Sequence, residues 1–455
     1  MINPIQIPAG TQLALCMVLG AVLAVLPRPS TALDVPTVGE SAAVHEVMVP
    51  GLTPELELLY QDLLGHLLGG EPDHAARAAD VLLKAFTLQY GEDSPLLATP
   101  SLYLGLIQLD RGETIDSVRH LNRAVESIER SHGQFDLRLM APLRGLAIAH
   151  METGQRASAV SALRRAQNLT HRHMGVYNTD QLPILDMLLT AAGNRARSGV
   201  TDPLLAFNVK VHEEAFGKDD PRIVPALLRM AEYMADRGKR IGSFRAKGAI
   251  DFRASINHSR RALTILEQHY GADDPRLIDT LRVIAETRLK RGFGKGDAVA
   301  AMRRAHDIVD TATASDVSER AHAKVELGDL YTLWDDHRSS EAYRDAWKVI
   351  PEGPKYDALR DELFGEPSRI STDSFNMWLR ERPWRTDRVN FLEFGYVVRA
   401  DGRARRFQTV EGNVPQSARQ RLRSKLRRAR FRPRMVDGDV VETEGLRVRR
   451  EFSLF

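Results

Sequence analysis

Apolar residues follow a helical spacing over most of the chain, from Thr53 to Ile350. Leucines recur at equivalent positions of successive segments, and an apolar and then a small residue follow three and four positions later. This i, i+3, i+4 pattern is typical of helices that bury one stripe and approach a neighbour closely at the small residue. The three sets are Leu59, Leu143, Leu185, Leu227 and Leu281; Leu104, Leu146, Leu188, Met230 and Ile284; and Gly105, Ala147, Ala231 and Ala285.

Glycines divide the same range into segments of equal length. One series with a 42-residue period consists of Gly91, Gly133, Gly175 and Gly217, and a second of Gly70, Gly112, Gly154 and Gly238, with Ala196 in its remaining slot. Both series gain 12 residues before their next members, Gly271 and Gly292, which predicts an insertion at 239–250. Because glycine adopts the left-handed backbone that ends helices, each period is expected to hold two helices. Turns inside the pairs are predicted at Gly70, Gly112, Gly154, Ala196, Gly238 and Gly292.

The ends of the periods carry variants of one phrase. YGEDSP begins at Tyr90, FGKDDPR at Phe216 and YGADDPR at Tyr270. In this phrase aspartate can cap the next helix and proline fits its first turn. In the second helices a leucine slot and an alanine slot recur at Leu121, Leu163 and Leu205, and at Ala124, Ala166 and Ala262.

These features resemble the tetratricopeptide repeat (TPR), and the 42-residue period with its YGxDDPR phrase resembles the longer-helix variety of kinesin light chains. The resemblance implies a mostly α protein, a right-handed α-solenoid of about seven helix pairs over 53–350 with a peptide-binding groove. The heptad-rich coiled coil of kinesin light chains is missing here.

The pattern changes after Ile350. A Pro- and Gly-rich stretch begins the segment 351–388, which is predicted to be a linker with short helices, and residues 389–455 then alternate in β fashion. Asp401-Gly402 and Asp437-Gly438 predict hairpin turns. A helix is expected between Pro415 and Arg430, with Ala418, Leu422, Leu426 and Ala429 on one face, and a final strand over 445–455. The expected order is β-β-α-β, a small α+β domain.

This order, with Phe431-Arg432-Pro433 just after the helix, resembles the C-terminal domain of TonB-type energy transducers. That resemblance implies binding of short protein segments by strand pairing. The Pro-rich spacer and the intramembrane histidine of that family are missing, so a role as an energy transducer is an alternative only.

An apolar run from Leu13 to Leu26 precedes the repeats. It is shorter than the ~20 residues of a spanning helix and is followed by small residues ending at Ala32. We therefore expect a signal peptide at 1–32, a linker at 33–52, and a periplasmic or cell-envelope location in a Gram-negative bacterium; an inner-membrane anchor is the alternative. The single cysteine, Cys16, lies in this run.

Positive charge collects in the tail, although the whole chain carries only +3. Arg419, Arg423, Arg427 and Arg430 are the candidate contacts for an anionic partner. Three explanations compete: a solvated helix face, attraction to an anionic envelope surface, and nucleic-acid binding. Nucleic acid is disfavoured because no aromatic residues are interleaved with the arginines for base stacking.

We single out no catalytic, cofactor-binding or metal-ligating set in the sequence. The glycines of RGFGKGD (291–297) lack the spacing of a phosphate loop. His171 and His173 lack a third ligand in register, and Asp219-Asp220 and Asp273-Asp274 recur where capping explains them. The expected function is a non-enzymatic scaffold or adaptor with protein or peptide partners and no cofactor. An enzyme with an unrecognised site in the tail is the remaining alternative.

Overall fold

A computed structural model of the chain describes residues 52–192, 198–312, 316–370 and 390–452. These residues form two compact units, one within 1–218 and one within 219–455. Over the described ranges there are sixteen α-helices, and the strands all lie near the C-terminus. The fold is mostly α, a solenoid of TPR-like helix pairs followed by a small α+β domain, as the sequence predicts. The predicted signal segment at 1–32 lies outside the described residues.

In the described part of the first unit there are four antiparallel helix pairs. They are α1 (Pro54–Leu68) and α2 (Pro72–Tyr90), α3 (Ala98–Asp110) and α4 (Thr114–His132), α5 (Met140–Glu152) and α6 (Arg156–Met174), and α7 (Leu182–Ala192) and α8 (Ser198–Phe216). The predicted turns at Gly70, Gly112 and Gly154 are confirmed, with φ of +66°, +75° and +76°. Ala196 lies outside the described residues.

The repeat boundaries from Gly91 to Gly271 share local signals. The glycine after the second helix has φ between +84° and +96°, a conformation open to glycine, at Gly91, Gly133, Gly175, Gly217 and Gly271. A polar side chain then caps a short 3₁₀ turn: Ser94, Asp136, Asn178 and Asp220 each accept a hydrogen bond from a backbone N–H two or three residues on. The 42-residue period of the sequence therefore reflects the positions at which one helix ends and the next begins.

The recurring small residues reflect close packing inside the pairs. Gly105 lies in α3 against Leu121 of α4, and a Cβ at Gly105 would lie 2.7 Å from the Leu121 Cγ atom. At this close contact the Ser117 hydroxyl donates a hydrogen bond of 2.7 Å to the Gly105 carbonyl. The leucine slots Leu143, Leu185, Leu227 and Leu281 are all buried.

The second unit begins with three further pairs and a single helix. They are α9 (Val224–Ile241) and α10 (Ala246–Tyr270), α11 (Leu277–Arg291) and α12 (Lys295–Thr311), α13 (Val317–Leu333) and α14 (Ser339–Val349), and α15 (Pro354–Phe364). Gly292 ends α11 in the left-handed region at φ +78°, which confirms that turn.

The predicted turn at Gly238 is wrong. Gly238 lies inside α9, and the chain turns at Gly242, where φ is +102°. The 12 extra residues lengthen both helices: α9 has 18 residues where α3 has 13, and α10 has 25 where α4 has 19. Gly238 is instead a close-contact position, because a Cβ there would lie 3.1 Å from the Gly248 carbonyl oxygen and the Phe252 ring.

A buried ion pair ties the two lengthened helices together. The Arg237 guanidinium donates two hydrogen bonds to the Asp251 carboxylate, at 2.8 and 2.6 Å, and the side chains are 11% and 3% exposed. Such a paired fork-to-fork contact satisfies charges that could not be buried singly.

The described residues of the tail, 368–370 and 390–452, form three small sheets and one helix. The strands are β1 (Ser368–Arg369), β2 (Asn390–Val398), β3 (Ala404–Gly412), β4 (Phe431–Arg432), β5 (Arg434–Val436), β6 (Asp439–Val441) and β7 (Thr443–Phe452), with α16 (Gln416–Arg428) between β3 and β4. The main sheet is antiparallel in the order β3-β2-β7, and β1 pairs with β4 and β5 with β6. Both Asp-Gly hairpins are present, so the β-β-α-β core is confirmed, with short strands added to it.

One apolar core joins α13–α15 to the tail. Ala321, Val325, Tyr343, Ala346 and Ile350 pack with Leu363, Phe364 and the tail's Met435. This core crosses the Pro/Gly-rich stretch at which the sequence changes character, so a chain cut at Gly353 would divide it. None of the helices in the described ranges is both long and apolar enough to cross a membrane.

Candidate functional site

The amphipathic helix α16 lies on the main sheet of the tail. Its buried Leu422 and Leu426 pack with Leu392, Phe394 and Val414. Because this apolar face is held against the sheet, the opposite face of the helix is fixed toward solvent.

The structure separates the four arginines that the sequence groups together. Arg423 and Arg427 are exposed, and neither has a hydrogen-bond or ion-pair partner among the described residues. Arg419 is partly buried and donates to the Gly412 and Val414 carbonyls at 3.1 and 3.2 Å. Arg430 donates to both oxygens of Asp335, at 2.8 and 2.9 Å. Arg423 and Arg427 are therefore the two that face solvent, while Arg419 holds the tail's own structure and Arg430 joins the tail to Asp335.

The exposed face of α16 extends to two arginines outside the predicted set, Arg421 and Arg428. The helix contains no acidic residue (QSARQRLRSKLRR). Over 390–452 there are sixteen Lys and Arg residues against eight Asp and Glu residues. We call the exposed set Arg421, Arg423, Arg427 and Arg428 the basic face; it concentrates positive potential on one rigid element.

Three arginines of the tail instead dock the domain onto α13. Arg430 and Arg403 both contact the Asp335 carboxylate just after α13, and together they hold the pKa of that carboxyl below its usual value, with the Arg430 hydrogen bonds the largest cause. Arg432 makes a paired contact with Asp329 inside α13, at 3.1 and 2.8 Å. The backbone approaches closely here too, because a Cβ at Gly402 would lie 2.7 Å from the Thr332 methyl group.

Strand β7 is an edge of the main sheet. It pairs with β2 on one side, and no strand in the described ranges lies on its other side. An edge of this kind presents backbone N–H and C=O groups to which an extended segment can add.

A polar pocket of about 220 Å³ lies between α12, α13 and α14. Among its lining residues are Arg303, His306, Lys324 and Tyr331. Its polar atoms partner one another: the Lys324 ammonium lies 2.7 Å from the His306 Nε2 atom, and Arg303 donates to the Tyr331 hydroxyl at 3.0 Å. Its lining holds no serine, threonine or cysteine nucleophile.

His171, His173 and Asp220, which the sequence does not favour as site residues, have structural partners. His171 lies 2.8 Å from the Gln181 side-chain oxygen and His173 lies 2.7 Å from the Phe135 carbonyl, so the two rings face different neighbours. The Asp220 carboxylate accepts from the Arg222 side chain and backbone, which lowers the pKa of Asp220 to about 2. Gly292 and Gly294 form the turn between α11 and α12.

No protein-family model matches the chain, and no curated protein matches it. Among solved structures, BtubC (BKLC) from P. vanneervenii is similar over 55% of this chain and 90% of its own, at 14% identity and a TM-score of 0.38. A putative kinesin light chain of Podosopora anserina with nearly identical TPR-like repeats is similar over 49% of this chain and 100% of its own, at 13% identity and a TM-score of 0.39. The apo form of the quorum sensor NprR from B. thuringiensis is similar over 75% and 99%, at 12% identity and a TM-score of 0.34.

These likenesses are too distant to carry an argument about function. The class of protein is defined by the helix pairs themselves: a TPR-like solenoid protein with a small α+β domain docked on its last pairs.

Proposed function

We propose that this chain is a non-enzymatic interaction scaffold of the cell envelope, in which the helix pairs bind a protein partner and the basic face of α16 binds an acidic protein surface. The observation that carries the proposal is the exposure of Arg423 and Arg427 on a helix whose other face is buried. The envelope location rests on the expected signal peptide at 1–32.

The arrangement of the tail supports a binding role for this face. Arg430 and Arg432 are ion-paired within the protein, so their charges are compensated locally, while Arg419 donates to backbone carbonyls of its own domain. Along the basic face, by contrast, like charges stand one helical turn apart at Arg423 and Arg427, which is unfavourable for an isolated helix by about 0.2–0.5 kcal/mol. An acidic partner would remove that repulsion and would be attracted over roughly 10 Å at low salt.

The test is a charge reversal with a matched control. The double variant Arg423→Glu, Arg427→Glu is compared with Arg253→Glu, Arg260→Glu, which makes the same change of charge at two exposed arginines of α10. Full-length chains are used as bait in envelope extract, and retained proteins are quantified by mass spectrometry at low and high salt.

We expect the α16 variant to lose one salt-sensitive subset of partners while the α10 variant retains it. Both variants should keep the wild-type melting temperature, because none of the four side chains is buried. Equal retention by both variants at low salt would contradict the proposal. If the α16 variant instead retains every protein partner and loses only its co-sedimentation with phosphatidylglycerol vesicles, the basic face binds anionic lipid. The protein-partner proposal is then wrong.

Strand β7 supplies a second contact for the same scaffold. The TonB resemblance implies that an extended protein segment pairs with such an edge, and the free side of β7 supports this mode. Binding of an extended segment at β7 does not require an energy-transducing role.

A further inference from the structure

The turn between α1 and α2 brings two histidines and a carboxylate to one point. His66 lies in the last turn of α1, Glu71 just before α2, and His74 in the first turn of α2. The Glu71 Oε2 atom lies 2.8 Å from the Nδ1 atom of His66 and 3.5 Å from the Nδ1 atom of His74. All three ligand-type atoms lie within 4.8 Å of one another.

The backbone fixes this arrangement. Gly70 has φ of +66°, and the chain reverses through hydrogen bonds from the Glu71 N–H to the His66 carbonyl, at 3.0 Å, and from the Gly70 N–H to the Leu67 carbonyl. This is the bonding pattern of a helix that ends at glycine, and it orders the residues on both sides of the turn. The side chains therefore converge because of the fold of the turn and do not need a ligand to hold them there.

The distances suit a small tetrahedral ion. Bonds of about 2.0–2.1 Å from zinc to nitrogen or oxygen place neighbouring ligand atoms roughly 3.3 Å apart. The two measured separations, 2.8 and 3.5 Å, lie on either side of that value. We propose that His66, Glu71 and His74 form a site for a transition-metal dication such as Zn²⁺, with solvent or a partner's side chain as the fourth ligand.

A second carboxylate lies beside the other ring nitrogen of His66, the position that a supporting carboxylate takes around a metal-bound histidine. The Nε2 atom of His66, on the far side of the ring from Glu71, lies 3.6 Å from the Asp62 carboxylate. Metal-bound histidines usually donate their other ring N–H to a carboxylate or carbonyl, which orients the ring and raises its basicity as a ligand. Asp62 and Glu71 thus face opposite nitrogens of one imidazole.

The chemistry of the three side chains selects the class of ion. Imidazole nitrogen favours Zn²⁺, Ni²⁺ and Cu²⁺, whereas Mg²⁺ and Ca²⁺ prefer oxygen ligands alone. The spacing H-x₄-E-x₂-H across a Gly-Gly turn is the sequence signal for the site. The two histidine rings stack with centroids 5.2 Å apart, which keeps both imidazoles at the turn.

The experiment is a calorimetric titration of the full-length, tag-free chain with ZnCl₂ at pH 7.5, with MgCl₂ as the comparison ion. The variants are His74→Ala, Glu71→Gln and Asp62→Asn, and the matched control is His171→Ala, His173→Ala on α6. We expect one equivalent of Zn²⁺ to bind the wild type and the control. His74→Ala should abolish that binding, Glu71→Gln should weaken it, and Asp62→Asn should weaken it by about 10-fold.

Stability provides a readout that separates a metal site from a turn held by hydrogen bonds. Without metal, His74→Ala should melt at the wild-type temperature because His74 is exposed. With saturating Zn²⁺ only chains that retain the site should gain stability, since an ion that binds the folded state raises its melting temperature. Zinc binding of unchanged stoichiometry and affinity in His74→Ala, or no saturable binding by the wild type, would overturn the proposal.

Discussion

At the residue scale, glycine serves two purposes in this chain. Positive φ at Gly70, Gly91 and Gly112 requires it at turns, while Gly105 and Gly238 have ordinary helical backbone and are glycine because a neighbouring helix leaves no room for a Cβ. The sequence shows that glycines recur periodically, but it does not show whether a given glycine forms a turn or allows close packing of two helices. The error at Gly238 follows from that ambiguity.

Substitution by alanine distinguishes these purposes. Gly105→Ala should destabilise the chain by about 1–3 kcal/mol, because the new Cβ overlaps Leu121. Gly65→Ala, in α1 with open space around it, should stabilise it by about 0.5–1 kcal/mol through helix propensity alone. Urea unfolding curves of the two variants check the pair; equal effects would mean that the close contact is absent.

Arg430 shows what the sequence cannot reveal about a charged side chain. It was grouped with Arg423 and Arg427 as a partner contact, and its own partner Asp335 lies 95 residues away. A long-range ion pair leaves no periodic signal. The sequence therefore shows the charges and the helix face, but it does not show which charges are paired within the folded chain.

The Asp335 contacts predict a pH dependence. Because Arg430 and Arg403 lower the pKa of the Asp335 carboxyl in the folded chain, their contribution is complete above the ordinary aspartate pKa, about 3.9, and is lost as the pH falls through the lowered pKa. Wild type should therefore be more stable than Asp335→Asn at pH 6, and the difference should shrink steadily toward pH 2.5. Urea midpoints measured across this range test it; a constant difference would show that the carboxylate charge is not involved.

At the element scale, the helix pairs could be predicted because the repeat boundaries from Gly91 to Gly271 use local chemistry. A glycine ends the second helix and a Ser, Asp or Asn side chain caps the next turn, each within a few residues. The period locates the 12-residue insertion but does not predict its conformation. Extra residues can form a loop or lengthen two helices, and here packing of Gly238 against Phe252 favours lengthening.

The lengthened pair should depend on its buried ion pair. Asp251→Ala leaves the Arg237 guanidinium, whose side chain is only 11% exposed, without its main counter-charge. Removing one partner of a buried pair costs about 3–5 kcal/mol, so this variant should unfold at a markedly lower denaturant concentration.

The same substitution at an exposed ion pair gives the control for that prediction. Asp279→Ala removes an exposed aspartate whose ion pair with Arg282 is at the surface, and should change stability by at most about 1 kcal/mol. Similar losses in the two variants would contradict a special role for the Arg237–Asp251 pair.

At the scale of the whole molecule, the tail is part of the last repeats as well as a candidate binding domain. Met435 lies in the core of α13–α15, and Arg430 and Arg432 are anchored to α13 and its C-terminal turn. The sequence placed the change of pattern near Ile350 but could not show that one core spans it, because the contacting residues are far apart in the chain. The same docking leaves the basic face of α16 exposed to a partner.

The central claim is that this face touches an acidic protein, and photo-crosslinking in the native cells tests it most directly. A photoreactive amino acid replaces Gln420 or Ser424, two exposed uncharged residues of α16, so that every arginine is kept. Comparison probes stand at Arg253 on α10 and at Arg447 on β7. The account predicts protein adducts from positions 420 and 424 that disappear when Arg423 and Arg427 are changed to glutamate, and no matching adduct from position 253. Adducts from position 447 alone, or none from either α16 position, would contradict it.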